Sequence, residues 1–280
     1  MGVERVHDLS DPRLADFRNV RDPALVRERH AFVVESRFVV RALLSQSTFR
    51  TRALLVTETA LAGIDDLLPA LDDDTPVFVA TGGAINEVAG FHIHQGCLAI
   101  GERRSPPTPS ELLESLPNAS RLVVLENVTN PDNVGAVFRN ALAFGAGAVL
   151  LDAPSADPLY RKAIRTAMGA SLRVPYARAE SAGEILEALA DAGFVRVALT
   201  PDPDALDLVD WATSDAAHGR VALLLGNEGE GLAASTLAGA DARVRIVMPG
   251  DIDSLNVGTA SAIALYELCR SKGTGTFDLP

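Results

Sequence analysis

The sequence predicts an α/β protein of two domains joined by a polar linker. Three observations carry that expectation. Of 280 residues, 48% are hydrophobic and 22% charged, which is enough apolar material for substantial cores and too much for a disordered chain. Short apolar runs of strand type alternate with helical patterns along most of the length. Between Gly101 and Ser120 the alternation stops at a proline-bearing stretch, Arg104-Ser-Pro-Pro-Thr-Pro-Ser110, which can continue neither a helix nor a central strand. The first domain is therefore placed at residues 1–104, the linker at 105–119 and the second domain at 120–280.

In the first domain, Phe32 to Val34 reads as a strand or helix start and Phe38 to Leu44 as an amphipathic helix. Ala53 to Thr57, Val77 to Ala80 and Cys97 to Ile100 read as strands. After the linker, Leu122 to Leu125 is a buried-type strand, Val134 to Phe144 a helix, and Ala148 to Leu151 a strand beyond the Gly145-Ala-Gly147 turn. That βαβ unit favours a parallel sheet with a right-handed crossover. Leu159 to Met168 and Ala182 to Ala192 read as helices, Val195 to Leu199, Val221 to Leu225 and Val244 to Val247 as strands, and Val257 to Arg270 as a closing helix. The second domain is thus an open, mostly parallel layer.

Composition excludes several classes. No run of about 18 apolar residues occurs and the charged N-terminus has no apolar stretch behind it, so neither a membrane span nor a secretory signal is predicted. The protein is expected to be soluble and cytoplasmic. Cys97 and Cys269 are the only cysteines, which excludes a disulfide framework and an all-cysteine zinc site. His92-x-His94 points both imidazoles to one side of a strand, but no nearby Cys or carboxylate completes a ligand set, and no metal is expected. Trp211 reads as packing, and the Asp72-Asp73-Asp74 run as a solvated loop.

A formal net charge of -12 opposes indiscriminate adhesion to polyanions, yet the cations are clustered. Arg5, Arg13, Arg18, Arg21, Arg27, Arg29, Arg37, Arg41, Arg50 and Arg52 crowd the start of the chain, while Ala53 to Ile100 holds no Lys or Arg. Arg161, Lys162, Arg165, Arg173 and Arg178 form a second group. Arginine grips phosphate bidentately and stacks on bases, so the pattern fits a nucleic-acid surface; it fits equally a solvated face interrupted by Asp16, Asp22 and Glu28.

Three segments of the second domain could carry chemistry. In the first, Glu126-Asn-Val-Thr-Asn-Pro-Asp-Asn133 leads into a helix bearing Gly135, Arg139 and Asn140; Asn133 suits an N-cap, with Pro131 and Asp132 in the preceding turn. Arg139 has apolar chain neighbours, and a buried arginine needs a partner. In the second, Gly226-Asn-Glu-Gly-Glu-Gly231-Leu232 follows a strongly apolar strand, where glycines permit positive φ and close approach to a ligand. Its carboxylates Glu228 and Glu230 would repel a triphosphate, and no dinucleotide or P-loop fingerprint is present, so the ligand meeting this loop is neutral or cationic and a nucleotide-dependent oxidoreductase is disfavoured. In the third, Ile246-Val-Met-Pro-Gly-Asp-Ile-Asp-Ser254-Leu-Asn256 precedes a small-residue helix that Ser254 can cap.

In their order and spacing these segments resemble the SpoU (TrmH-like) branch of the SPOUT RNA 2'-O-ribose methyltransferases. Asn133-x-Gly135-x-x-x-Arg139, Gly226 to Leu232 and Ser254-Leu255-Asn256 are similar to the family's three motifs, and Arg165-Thr-Ala-Met-Gly169-Ala170 to its intermediate segment. Phe32-Val-Val-Glu35 and His94-Gln95-Gly96 resemble the L30e-like substrate-binding domain that precedes many such catalytic domains. The chain departs from the family pattern at Ile246-Val-Met248, where Ile-Pro-Met is common and Pro249 here follows instead, and in placing Asp251 and Asp253 beside the third motif.

The resemblance implies a deep trefoil knot, a homodimer, S-adenosylmethionine as methyl donor, no metal, and transfer to a ribose 2'-hydroxyl of structured RNA, with ribosomal RNA preferred over transfer RNA. It implies cofactor contacts from Leu225, Gly226, Asn227, Glu228, Ile246, Met248 and Leu255. Asn133, Arg139, Glu228, Ser254 and Asn256 are implied as the catalytic constellation. Arginine stays protonated in proteins, so Arg139 suits orienting a phosphate and stabilising an alkoxide better than serving as base. A non-catalytic RNA-binding assembly protein retaining the same fold is the alternative.

Overall fold

The computed structural model describes residues 2–18, 25, 28–248 and 254–270. Arg21, Asp22, Arg27, Pro249, Asp251 and Asp253 lie outside the described residues, as does the side chain of His94. In chain order the elements are β1 (Val3–Arg5), β2 (Ala31–Glu35), α1 (Arg37–Gln46), β3 (Thr51–Val56), α2 (Glu58–Leu61), β4 (Val77–Val79), α3 (Gly82–Ala89), β5 (Cys97–Glu102), α4 (Pro109–Glu114), β6 (Arg121–Leu125) and α5 (Pro131–Ala143). They continue with β7 (Ala148–Leu151), α6 (Arg161–Thr166), β8 (Tyr176–Arg178), α7 (Ala182–Asp191), β9 (Val195–Leu199), β10 (Leu206–Asp207), α8 (Leu208–Ala212), β11 (Val221–Leu225), α9 (Ala234–Gly239), β12 (Ala242–Arg245) and α10 (Val257–Arg270). None of the described helices is long and apolar enough to cross a membrane.

The chain forms two compact units, Met1–Ser105 with Pro158–Arg173, and Pro106–Asp157 with Val174–Pro280. In the first, five strands are ordered β1-β4-β3-β5-β2. The strand β5 runs antiparallel to both β2 and β3, and the remaining pairs are parallel. Every residue of β2 is buried, the apolar run Ala31 to Val34 and the closing Glu35 alike. The helix α1 starts at Ser36, whose hydroxyl accepts from Val39 N, and buries Val39, Val40, Ala42 and Leu43. The segment Pro158–Arg173 packs on these same elements. Glu35, 4% exposed, pairs with Arg161 at 3.2 Å and Arg165 at 3.3 Å, and the Arg161 guanidinium stacks 3.8 Å from the Phe91 ring centroid.

The second unit is a seven-stranded sheet ordered β10-β12-β9-β11-β6-β7-β8, with all its pairs parallel. From β6 the chain runs out to β7 and β8 on one side, then crosses to build β9, β11 and β12 on the other. Such a reversal of strand order opens a crevice beyond the carboxyl ends of the central strands. The predicted strands 148–151, 195–199 and 221–225 and the closing helix 257–270 form at those residues. The last predicted strand forms two residues early, as β12, because Ala242 to Val244 pair with Val197 to Leu199; Ile246 and Met248 are thereby left as loop beyond the sheet.

Two helix starts differ from the sequence reading. The N-cap of α5 is Asn130, whose side chain accepts from Asp132 N; Pro131 takes the first helical position and Asp132 the first turn, where its charge favours the macrodipole. Asn133 therefore lies inside the helix, buried, with its side chain free for tertiary contact. At α10 it is Asn256, not Ser254, whose side chain accepts from the first turn, through Gly258 N at 2.9 Å.

Candidate active site

A cavity of about 400 Å³ opens at the carboxyl ends of β9, β11 and β12. Its walls are Leu199, Thr200 and Pro201 at the end of β9, the stretch Leu225 to Leu232 from the end of β11, Leu237 on α9, Ile246 and Met248 after β12, and Ser254, Leu255, Val257 and Ala260 around the start of α10. The volume suits a nucleoside-sized molecule. Aliphatic side chains supply much of the wall, and Glu228 and Glu230, both exposed, supply the negative charge. An anionic ligand would be repelled there and a cationic one drawn in.

The loop after β11 is tightly folded on itself. A Cβ at Gly226 would lie 2.3 Å from the Gly231 carbonyl and 2.4 Å from Leu232 N, so only glycine fits. Gly231 adopts φ +72°, in the left-handed region, and its N–H donates to Asn227 O at 2.9 Å. The Asn227 side chain closes the turn from within, with Oδ1 accepting from Gly229 N at 2.7 Å and Glu230 N at 3.3 Å.

The third segment is tied to α5. Asn256 Nδ2 donates to Asn133 Oδ1 at 2.9 Å, and Asn140 Nδ2 donates to Gly258 O at 2.7 Å and to Ser261 Oγ at 2.8 Å. Gly258 allows this approach: a Cβ there would stand 2.7 Å from Ala136 Cβ. Arg139 corrects the expectation of a buried arginine. It is exposed, does not line the cavity, and makes no hydrogen bond or ion pair among the described residues. Six residues from Asn133 is about 600° of helix, which turns Arg139 away from the buried Asn133 face.

A model of the SpoU rRNA methylase family matches residues 120–266. An uncharacterized tRNA/rRNA methyltransferase of Mycobacterium bovis is 39% identical over 275 residues, which is 97% of this chain and 93% of that one. The chain belongs to the SpoU methylase family. A 23S rRNA (guanosine-2'-O-)-methyltransferase of Burkholderia is 34% identical to this SpoU chain over 197 residues, 70% of this chain and 78% of that protein. Among solved structures, the AdoMet-bound rRNA methyltransferase of Sinorhizobium meliloti superposes with a TM-score of 0.78 at 27% identity, covering 97% of this chain and 99% of that one.

The three SpoU segments named from sequence thus meet in space, but in two groups. Leu225, Gly226, Asn227, Glu228, Ile246, Met248, Ser254 and Leu255 all line the cavity. Asn133 and Asn256 are joined to each other beside it, and Arg139 stands on the exposed face of α5. Sequence reasoning missed Thr200, Pro201 and Leu237 in the wall and Asn140 in the seam between α5 and α10. Thr200-Pro201 had a signal available, since it directly follows an apolar strand whose neighbour carries the glycine-rich loop.

Proposed function

We propose that this SpoU-family chain transfers a methyl group from S-adenosylmethionine to a ribose 2'-hydroxyl of ribosomal RNA, and that the cavity at β9, β11 and β12 holds the methyl donor. The observation that carries the reading is the cavity's chemistry: aliphatic walls beside carboxylates, with no phosphate-gripping cation among the described residues of its lining. That set suits a ligand with an adenine, a neutral ribose and a cationic sulfonium. Leu225, Ile246, Met248 and Leu255 would enclose the adenine and ribose. Gly226 and Asn227 would offer backbone groups, and Glu228 would face the positive charge.

S-adenosylmethionine supplies a methyl already activated on a sulfonium and departs as a neutral thioether, so this chain's residues need only position the reactants and help the hydroxyl lose its proton. Arg139, whose guanidinium is unspent among the described residues, would grip the phosphate next to the target ribose and stabilise the developing alkoxide. The Asn256 amide N–H donates to the Asn133 side-chain oxygen, which makes the two positioning residues that fix the third motif against the helix bearing Arg139. Arg139, Glu228, Ser254 and Asn256 are all exposed in the single chain, which fits a homodimer in which a second copy covers the site.

Labelled S-adenosylmethionine incubated with the protein and, separately, with ribosomal and transfer RNA tests the proposal. Label should enter ribosomal RNA at a ribose that resists alkaline cleavage. Transfer to bases, transfer to transfer RNA alone, or donor binding without any transfer would overturn it.

A further inference from the structure

We propose that two buried carboxylates outside the cavity, Asp152 and Glu126, act through hydrogen bonds as positioning residues for the glycine-rich loop, and that Asn227 is the link by which Asp152 reaches it. Both carboxylates sit at the carboxyl ends of strands, Glu126 directly after β6 and Asp152 directly after β7. Asp152 is 4% exposed and Glu126 9% exposed, and neither forms an ion pair among the described residues. A buried carboxylate without a cation persists only when several donors point at it.

The donors of Asp152 are in place. Asn127 N donates to its Oδ1 at 3.0 Å and Oδ2 at 2.9 Å, and Ser155 adds its N–H at 3.1 Å and its hydroxyl at 2.6 Å, both to Oδ1. This grip holds Asn127 at φ +55°, a left-handed conformation that non-glycine residues seldom adopt. In that conformation the Asn127 carbonyl receives Asn227 Nδ2 at 2.9 Å. The other end of the same amide, Oδ1, takes the N–H groups of Gly229 and Glu230. Both ends of the Asn227 side chain are therefore committed within the protein.

Glu126 fastens the far end of the loop. Its Oε2 accepts from Ala233 N at 3.3 Å and its Oε1 from the buried Thr236 hydroxyl at 3.0 Å, so it sits at the start of α9. Two consecutive residues, Glu126 and Asn127, thus hold both ends of the stretch 227–236, of which residues 227–232 form one wall of the cavity. Loosening either tether lets that wall move and weakens the molecule held against it.

The ligand part of this inference rests on the cavity being the S-adenosylmethionine site, so the test carries a readout that needs no ligand. In the full chain, Asp152→Asn and Asn227→Asp should each speed amide hydrogen exchange at Gly229 and Glu230. Asn227→Asp keeps the acceptor for those amides, removes the donor to Asn127 and sits near the surface, so it folds even if Asp152→Asn does not. Calorimetry with S-adenosylmethionine should show each variant binding about tenfold more weakly, and the double variant no weaker than the poorer single one, because both break the same chain of bonds. The KM for the donor should rise while the KM for RNA stays constant. Unchanged exchange at Gly229 and Glu230, or fold-losses that multiply in the double variant, would overturn the relay. If the parent protein fails to bind S-adenosylmethionine, the reading of the cavity falls, while faster exchange in the variants still supports the tether.

Discussion

Several arginines of the first unit are held by carboxylates of that unit, whereas, among the described residues, Arg139 of the second is not. Arg5 pairs with Glu58, Arg13 with Asp11 and Glu4, Arg41 with Asp66, Arg50 with Asp72 and Asp74, and Arg29 and Arg52 with Asp16. Hydrogen bonding from Arg13 holds the Asp11 carboxyl down at about 2, and the Arg41 guanidinium lowers Asp66 in the same way. A depressed carboxylate keeps its contribution above its ordinary value and loses it only as pH falls through the lowered one, so the Arg13–Asp11 and Arg41–Asp66 pairs stay ionised throughout the neutral range. Arg139 has no such partner among the described residues. The lesson is that a cluster of cations in a sequence measures charge content, whereas the capacity to bind phosphate depends on which cations the fold has left unspent.

The strongest way to break this contrast is to remove Arg139. Arg139→Ala should lower kcat by about 100- to 1,000-fold, the scale of losing one preorganised donor at a developing oxyanion. The affinity for S-adenosylmethionine should stay within about twofold, since Arg139 is absent from the cavity wall. Arg139→Lys keeps the charge but not the planar fork and should recover only part of the loss. A full-rate Arg139→Ala enzyme would remove the residue from the mechanism.

Next in size is Gly226→Ala. The new Cβ would lie 2.3 Å from backbone of Gly231, which cannot yield as a flexible side chain would. Strain of about 1–3 kcal/mol placed in the cavity wall should weaken donor binding by about 10- to 100-fold, read by calorimetry, with RNA binding intact. Gly258→Ala, whose Cβ would meet Ala136 Cβ at 2.7 Å, should cost about 1–3 kcal/mol of stability by thermal or denaturant unfolding. Donor affinity falling without any loss of stability would show that the seam between α5 and α10 has slack.

Which of these features the sequence disclosed follows from their range along the chain. The strands β7 and β11 are four or five consecutive apolar residues between turn signals, and β9 is interrupted only by Arg196; periodicity finds such runs. The strands β1, β8 and β10 are two or three residues at or near sheet edges, too short to carry a period. Asn130 and Asn133 are both good caps; the deciding signal was Pro131, which belongs at the first helical position and so points to the residue before it. The apolar neighbours of Arg139 suggested burial, but neighbours in a helix sequence lie on different faces, and its own face is solvent. The long-range ion pairs were illegible: Arg5 and Glu58, for example, are 53 residues apart, and the β1 and β3 pairings with β4 bring that part of the sheet together.

The smallest expected effect sharpens the comparison most. RNA affinity measured against salt counts the phosphates that a protein neutralises, with a slope of about -0.7 to -0.9 per contact. Arg50→Gln removes a guanidinium already engaged by Asp72 and Asp74, so affinity for RNA should change by less than about twofold and the slope should not move. Arg139→Ala should flatten the slope by about one contact in the same titration. If Arg50→Gln flattens it equally, the pairs of the first unit open when RNA arrives, and the carboxylates there act as exchangeable placeholders for phosphate rather than as permanent partners.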